Sequence, residues 1–526
     1  MKNVSSKMLD HLGLVAGCYD ELGVSGIVDS KLVKKREHKL SHGVVLKAMI
    51  LNGLGFVDRR LYLCSEFYGK VSCERLLGED VSPLDLNDDV LGRTLDRVYE
   101  HGSTMLFNDV VFNVMKGVDV PRLLHVDTTS FSVHGEYGGE GDVKIDFGLP
   151  KDGRWDLKRY VLGLVCNQQG IPLFMKSFSG NYSDKKSLLE MIVGLQQGLQ
   201  NDRKVYYVAD SAFYTEENLV TLGGSTFWIS RVPSTINEAK ELLDKDLDLV
   251  VSTDPRYSFF ETVSDYAGIW QKWVVVRSVE MREKMLSTFD KNLEKEMDES
   301  RKSLKRLVGY DFFCEEDALK AAWKWIAEHP LLEFQELGVE TVRKTRGRGR
   351  PSKNQAVNQF YRVKAKTGVN QKAVDRRKER LGRFIIATND VDKDAISLLD
   401  DYKGQGRVEK GFRFLKDDTF GASDVYLKSQ KRVEALAMVM VLCLLIYSVL
   451  EWKLRRRLQE EKKTVRNQVK KQVQNPTMKW IFYMFLSIAV IQFMTGSKTH
   501  TAITNMTEEL EQIVELLGPD YEKYYP

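Results

Sequence analysis

The sequence predicts an α/β protein, α+β in arrangement: a mixed-sheet core, preceded by a helical N-terminal domain and split by a large insertion domain. Three observations predict it. Helical periodicity with few strand signals fills residues 1–115. Alternation of apolar and polar residues takes over at Arg122. Residues 234–381 then continue neither pattern, before the strand-like texture returns at Gly382.

The elements follow in order. Val44 to Leu54 reads as an apolar helix, and Asn87 to Tyr99 as an amphipathic one opened by Asn87 and two aspartates. These belong to the helical domain, 1–115. The first part of the core, 116–233, holds strands at Leu123–His134, Tyr160–Cys166, Ile171–Phe178, Val205–Ala209 and Phe227–Val232. Asn167-Gln168-Gln169-Gly170 turns the second strand into the third, and a helix from Asp184 to Leu199, capped by Ser183 or Asp184, precedes the fourth. The insertion, 234–381, carries a strand at Trp273–Val279 and charged helices at Glu280–Leu307 and Glu315–His329, because a structureless loop of that length is foreign to a compact domain. The core resumes over 382–450, starting with Gly382 to Asn389. Residues 451–526 read as a helical C-terminal region, and no internal repeat is present.

Composition narrows the function. Lys and Arg total 78 against 74 Asp and Glu, a formal charge of only +4, but the charge is segregated. Arg343 to Arg383 holds fifteen Lys or Arg and two acids, so the rest of the 526 residues is net acidic by nine. A polyanion at one surface explains this segregation, and a solvated charge run is the bland alternative. The six cysteines form no CxxC pair and no disulfide frame, so they read as thiols of a reducing cytoplasm. No HExxH and no GxxxxGK[ST] occurs, which argues against a zincin site and a phosphate loop. His125, near Asp127 on one strand, reads as a structural residue. The opening Met1-Lys2-Asn3-Val4-Ser5 has no apolar signal core. Two stretches, Ala435–Leu450 and Trp480–Met494, are almost wholly apolar, with a basic link Lys453–Lys471 between them. Each is shorter than the ~20 residues of a spanning helix, so both read as buried helices of a soluble core, with no membrane partner. A membrane hairpin is the alternative.

The chemistry concentrates near the C-terminal end, in Asp401-Tyr402-Lys403-Gly404-Gln405-Gly406-Arg407-Val408-Glu409-Lys410-Gly411-Phe412-Arg413-Phe414-Leu415-Lys416. Tyr402, Glu409 and Lys416 recur every seven residues, almost two turns, so one continuous helix would project all three from one face. Two further acids, Asp127 and Asp210, follow the apolar strand runs Leu124-His125-Val126 and Val208-Ala209. Three carboxylates from two strand ends and a helix suit hard divalent cations.

These residues resemble the DDE transposases of prokaryotic insertion sequences, in particular the subgroup whose third acid lies in Tyr-x2-Arg-x3-Glu-x6-Lys. The resemblance implies a ribonuclease H-like core over 120–232 and 382–450, and the element order fits that fold. It implies Asp127, Asp210 and Glu409 as the catalytic, metal-binding triad, with two Mg2+ ions that Mn2+ can replace. The family Arg falls on Gln405, which cannot make a bidentate phosphate fork, and Arg413 is placed to supply the charge. Tyr402, Gln405, Arg413 and Lys416 are the expected phosphate contacts. Trp228 and Arg231, on the strand after Asp210, are candidates to face DNA, with a core role open for Trp228. Arg346, Arg348 and Arg350, in Arg346-Gly347-Arg348-Gly349-Arg350-Pro351, resemble a minor-groove hook. Asp29 to Tyr68 resembles the helical leader of one branch of these enzymes, which binds element ends. The implied partners are double-stranded DNA, as terminal inverted repeats and target, and a second subunit in a homodimer at the nucleoid. A ribonuclease H-like nuclease or resolvase that only hydrolyses, and a catalytically silent DNA-binding relic, remain the alternatives.

Overall fold

The computed structural model describes residues 2–35, 38–56, 63–118, 121–138, 141–149, 153–196, 204–224, 226–345, 357–417, 427, 429–495 and 498–526. They form two compact units. One comprises residues 1–231, 264–271 and 388–526; the other comprises 232–263 and 272–387.

The first unit opens with β1 (Lys2–Met8), then α1 (Leu12–Glu21), α2 (Val24–Lys31), α3 (His42–Gly53), α4 (Cys64–Lys70), α5 (Cys73–Leu77), α6 (Asp88–His101) and α7 (Ser103–Val114). The Asn87 side chain caps α6, accepting the Val90 N–H at 3.1 Å, and Asp88 and Asp89 lie at the positive end of its dipole. The sheet strands follow: β2 (Leu123–Val133), β3 (Lys158–Asn167), β4 (Pro172–Ser179), then α8 (Asp184–Gln196), β5 (Tyr206–Ala209), α9 (Glu216–Leu222) and β6 (Phe227–Val232). Their order is β4-β3-β2-β5-β6. β2–β3 and β3–β4 are antiparallel, whereas β5 is parallel to β2 and β6 to β5. That is the ribonuclease H-like mixed sheet. Helix α8 covers β2, β3 and β4. The β3–β4 turn closes on Asn167, whose side chain accepts the N–H groups of Gln169 and Ile171, while Gly170 takes φ +84°.

The second unit runs through α10 (Asn237–Asp244), β7 (Val250–Val251), β8 (Tyr257–Ser264), β9 (Gln271–Ser278), α11 (Val279–Val308), α12 (Glu315–Ala327), β10 (Leu332–Thr345), β11 (Val357–Val369), α13 (Gln371–Arg380) and β12 (Arg383–Thr388). Its strands order as β12-β9-β8-β7, with a separate antiparallel ribbon β10-β11. Ala318 and Ala322 of α12 pack on Val363 of that ribbon in a small core. Much of the basic run is therefore strand and helix. Arg346, Arg348 and Arg350 lie outside the described residues.

The chain then returns to the first unit with α14 (Ala395–Lys403), α15 (Gly406–Leu415) and α16 (Gln430–Glu460), followed by β13 (Val465–Arg466), β14 (Gln472–Val473), α17 (Met478–Met484), β15 (Ala489–Thr495), β16 (Lys498–Thr504), α18 (Glu508–Leu517) and α19 (Pro519–Glu522). Among the described residues, α16 is the one helix long and apolar enough to cross a membrane, and 83% of its apolar window is buried inside the protein. It packs on α1, α3, α6 and α7 and on β4, so its apolar surface is the joint between the N-terminal helices and the sheet. The second apolar stretch corrects the expectation of a helix. Trp480 lies in α17, but Ala489 onward forms β15, the centre of a sheet ordered β1-β15-β16. The β-branched run there finds two partner strands, and that pairing outweighs a helix-compatible composition. The C-terminal region is accordingly mixed rather than helical, and the N-terminal region includes a strand.

Candidate active site

Register brings the first two acids together. Val126 of β2 stands opposite Ala209 of β5, and Ala209 opposite Ser230 of β6. The residues that follow, Asp127, Asp210 and Arg231, therefore form a row across three parallel chains spaced about 4.8 Å apart. Asp210 ends a strand, as the sequence predicts. Asp127 does not: β2 continues to Val133, and the acid sits where its parallel neighbour stops. Backbone N–H groups orient both carboxylates. Thr128 N–H donates to Asp127 Oδ1 at 2.7 Å and Ala212 N–H to Asp210 Oδ1 at 2.9 Å. The Ser230 hydroxyl donates to the Asp210 carbonyl at 2.8 Å, tying β6 to the end of β5.

The third acid arrives from the far side of the chain. α15 packs across β2 and β3, and α14 lies on β5. The predicted single helix from Tyr402 to Lys416 is two helices. The ladder tightens at the junction, where Gln405 N–H donates to Tyr402 O at 3.0 Å, Arg407 N–H to Gly404 O at 2.9 Å and Val408 N–H to Gln405 O at 3.2 Å. Tyr402 registers the convergence. Burial pushes its phenol up to about 12; Arg231 pulls it down, while the carboxylates of Asp210, Glu409 and Asp127 push it further up. All three acids and Arg231 thus act on one hydroxyl, which stays protonated at neutral pH and available as a donor. Among the described residues, no three His, Cys, Asp or Glu side chains gather tightly enough to cage a metal ion. The donor set is nonetheless all-carboxylate, with Asp127 and Asp210 partly exposed and Glu409 exposed. Such an open set fits an ion of the magnesium type, which takes one or two carboxylates and completes its shell with water and substrate phosphate.

Contacts behind the acids hold the α14–α15 junction on β2. The Gln405 Nε2 donates to the Val126 carbonyl at 2.9 Å, one residue from Asp127. The fully buried His125 ring lies against Gly404, so closely that a Cβ there would stand 2.5 Å from its Cε1. Burial, reinforced by Arg407, lowers the His125 imidazole to about 4, against a hydrogen-bond contribution from Gln405, so the ring is neutral at pH 7. Lys393 and Asp401, both nearly buried, form an ion pair at 2.8 Å on α14's flank. The Thr128 hydroxyl donates to Asp184 at 3.0 Å, joining the start of α8 to β2. Sequence reasoning finds none of these contacts; Gly404, beside the signature's tyrosine, is the one signal of a close approach.

Two of the expected DNA contacts are buried in the fold. Gln405 is 7% exposed and spends its amide on the backbone of β2, which ties the α14–α15 junction to that strand. Trp228 is 0% exposed and packs against Phe213 and Tyr214, so its ring is core and cannot stack on a base. Arg413 and Lys416 are exposed on α15 and at its end, and Lys416 Nζ lies 5.3 Å from the Phe131 ring of β2. Asp417 pairs with Lys479 at 2.7 Å.

The comparisons with known proteins meet this geometry. A family model described as "Transposase DDE domain" matches residues 119–446, more than half of the chain, and includes every one of the acids. The chain belongs to the DDE transposase family. A second model, "Domain of unknown function (DUF4277)", matches residues 4–112, the helical region of the transposase. No curated protein matches it significantly. As a DDE transposase the protein acts on DNA, in a family that generally uses divalent metal ions. Helix α16, most of whose apolar window is buried, packs on β4 and on the Glu409 helix α15.

Proposed function

We propose that the protein is the transposase of a prokaryotic insertion sequence of the Tyr-x2-Arg-x3-Glu-x6-Lys subgroup, which cuts the ends of its element and joins them to target DNA. One observation carries this reading: parallel register sets Asp127 of β2 beside Asp210 at the end of β5, and α15, which bears Glu409, packs across β2 and β3. Asp127, Asp210 and Glu409 are the catalytic acids and would hold two Mg2+ ions, for which Mn2+ can substitute; bound there, the ions would supply charge neutralisation for an in-line displacement. Tyr402 donates its phenolic proton to a phosphate oxygen as a hydrogen bond, and Arg231, in the row of acids, offers a planar fork to the same group. Arg413 and Lys416 meet the neighbouring backbone phosphates.

Chemically, a water oxygen attacks the scissile phosphorus and the 3′-oxygen leaves, taking a proton to become a 3′-hydroxyl. That hydroxyl then attacks a target phosphodiester, forming a new P–O bond as the target's own 3′-oxygen departs. No bond to protein forms. Residues 1–115 bind the terminal inverted repeats, 116–233 and 382–450 are the catalytic core, and 234–381 is an inserted domain whose basic run, Arg346, Arg348 and Arg350 included, meets DNA. Two subunits pair two ends, at the nucleoid of the cytoplasm.

The test uses a plasmid carrying the gene's own flanking DNA, incubated with the purified chain and magnesium. Nicked ends and joined products are expected from the wild type and neither from Glu409→Ala. Nicking without joining would identify a nuclease that only hydrolyses and overturn the joining step.

A further inference from the structure

The Glu409 helix has a second face. Around α15, Glu409, Arg413 and Lys416 lie within about 60° of one another, whereas Arg407, Lys410, Gly411 and Phe414 lie about 100–200° from Glu409. That reverse face forms one wall of a groove of about 610 Å3, closed by the β3–β4 turn at Gln169 and by the C-terminal half of α16. Its lining is strongly cationic. Arg407, Lys410, Arg455 and Arg456 line it against one carboxylate, Glu451, and that carboxylate is engaged by Arg455 at 2.8 Å and by the Met478 N–H at 2.8 Å. Arg407 and Lys410 are exposed and have no ion pair among the described residues. Arg456 lies over the Trp452 ring at 5.4 Å and pairs with Glu460 at 2.7 Å, so Arg407 and Lys410 carry most of the open charge.

The charge continues past the groove. From Lys453 to Lys471 the chain carries nine Lys or Arg against two Glu. The β13–β14 hairpin in this stretch is closed by Asn467, whose side chain accepts the N–H groups of Val469 and Lys471, leaving Lys470 and Lys471 exposed at its tip. The link reads from sequence as a possible membrane loop. Folded, it is a hairpin ridge on which Lys463 pairs with Glu461 and Arg466 with Glu509, while Lys462, Lys470 and Lys471 are exposed.

We propose that this groove and ridge form a second DNA track, holding the phosphate backbone of a duplex segment other than the one at the acids. The track is sequence-independent, because its exposed cations, Arg407 and Lys410 foremost, are suited to phosphates rather than to a defined set of base edges. A helix diameter of about 10 Å separates the two faces of α15, so a phosphate in the groove is not the scissile one. The proposal rests on the reading of the protein as a DNA-joining enzyme, which must hold more than one duplex segment at once.

The experiment measures binding of a random-sequence duplex to the full-length chain in calcium, across a salt series, for wild type, Arg407→Ala/Lys410→Ala and Arg407→Lys/Lys410→Arg. Each lost phosphate contact lowers the slope of log affinity against log salt by about 0.9. A slope shallower by roughly 1.8 is therefore expected for the alanine pair. Near-wild-type slope is expected for the charge-conserving pair, with unchanged melting in both because the two side chains are exposed. A photo-crosslinker at Gln169 should attach to the duplex in the wild-type background. Wild-type binding with an unchanged slope in the alanine pair, or a crosslink to protein instead of DNA, overturns the track and leaves the transposase reading standing. A wild-type chain that holds no duplex at low salt overturns both.

Discussion

Gly404→Ala isolates the contact that seats the helix bearing Glu409. Gly404 has φ −57° and ψ −20°, an ordinary helical conformation, so alanine meets no backbone strain there and by propensity alone should stabilise the turn by about 1 kcal/mol. The opposing effect is steric. An added Cβ stands 2.5 Å from His125 Cε1, 2.6 Å from Nε2 and 3.0 Å from the Asp401 carbonyl oxygen. Ordinary contact needs roughly 3.5–4.0 Å, so ring and helix must part by about 1 Å. His125 is 0% exposed and cannot swing into solvent, so the α14–α15 junction moves instead. Overpacking of this kind costs about 1–3 kcal/mol, which leaves a net loss of about 0–2 kcal/mol after the propensity gain. The loss of stability is modest beside the total and leaves the chain folded. Activity should register it strongly, because the moving junction carries Tyr402 and Glu409, and a misplacement of about 1 Å costs on the order of 100-fold in rate. The assay is magnesium-dependent nicking of the flanking-DNA plasmid, with melting run in parallel. His125→Ala in the same chain makes room for the new methyl and should recover much of the lost rate, a coupling that independent sites do not give. Wild-type nicking by Gly404→Ala, or a loss that His125→Ala leaves untouched, refutes the seating argument.

Other outcomes follow from the same geometry. Asp127→Ala, Asp210→Ala and Glu409→Ala should each abolish nicking while duplex binding in calcium stays within a few fold of wild type; near-normal nicking by any one removes that residue from the triad. Gln405→Arg places a charge at a site 7% exposed and breaks the 2.9 Å bond to Val126, so it should destabilise by about 3–5 kcal/mol, and a tolerated arginine in a melting assay would contradict the tether. His125, held near 4 in the folded chain against 6.5 when unfolded, contributes stability that is complete above pH 6.5 and is lost as pH falls toward 4. Between pH 7 and 5 the loss is about 2 kcal/mol, and His125→Gln should remove it from urea-denaturation curves, whereas an unchanged pH slope would mean the ring titrates normally. His11, buried and lowered to about 4 in the same way, should keep its own share of the acid sensitivity.

Much of this protein is legible along the chain. Local pattern determines the strands of the core, because alternation and β-branched runs fit a half-buried or buried sheet whichever strand lies beside them: Phe227–Val232 coincides with β6, and Tyr206–Ala209 differs from its expected start by one residue. The seven-residue spacing of Tyr402, Glu409 and Lys416 likewise marks a helical segment, which folds as α14 and α15. Local pattern does not determine which strands pair or where one element interrupts itself. Trp480–Met494 is as apolar as a core helix, and only the availability of β1 and β16 as partners makes its second half a strand. Gln405 reads as a weakened phosphate ligand because its neighbours in sequence are the signature; the Val126 carbonyl it binds is 279 residues away. Trp228 is open in the sequence to facing DNA or the core, and the packing of Phe213 and Tyr214 against it decides for the core. The row Asp127, Asp210, Arg231 exists only once parallel register aligns three strands. Residue type and short-range spacing record which chemistry the chain carries, since they depend on propensities within a few residues. Burial, register and close approach decide which of those side chains meet, since each is a property of surfaces that come together only when distant segments pack.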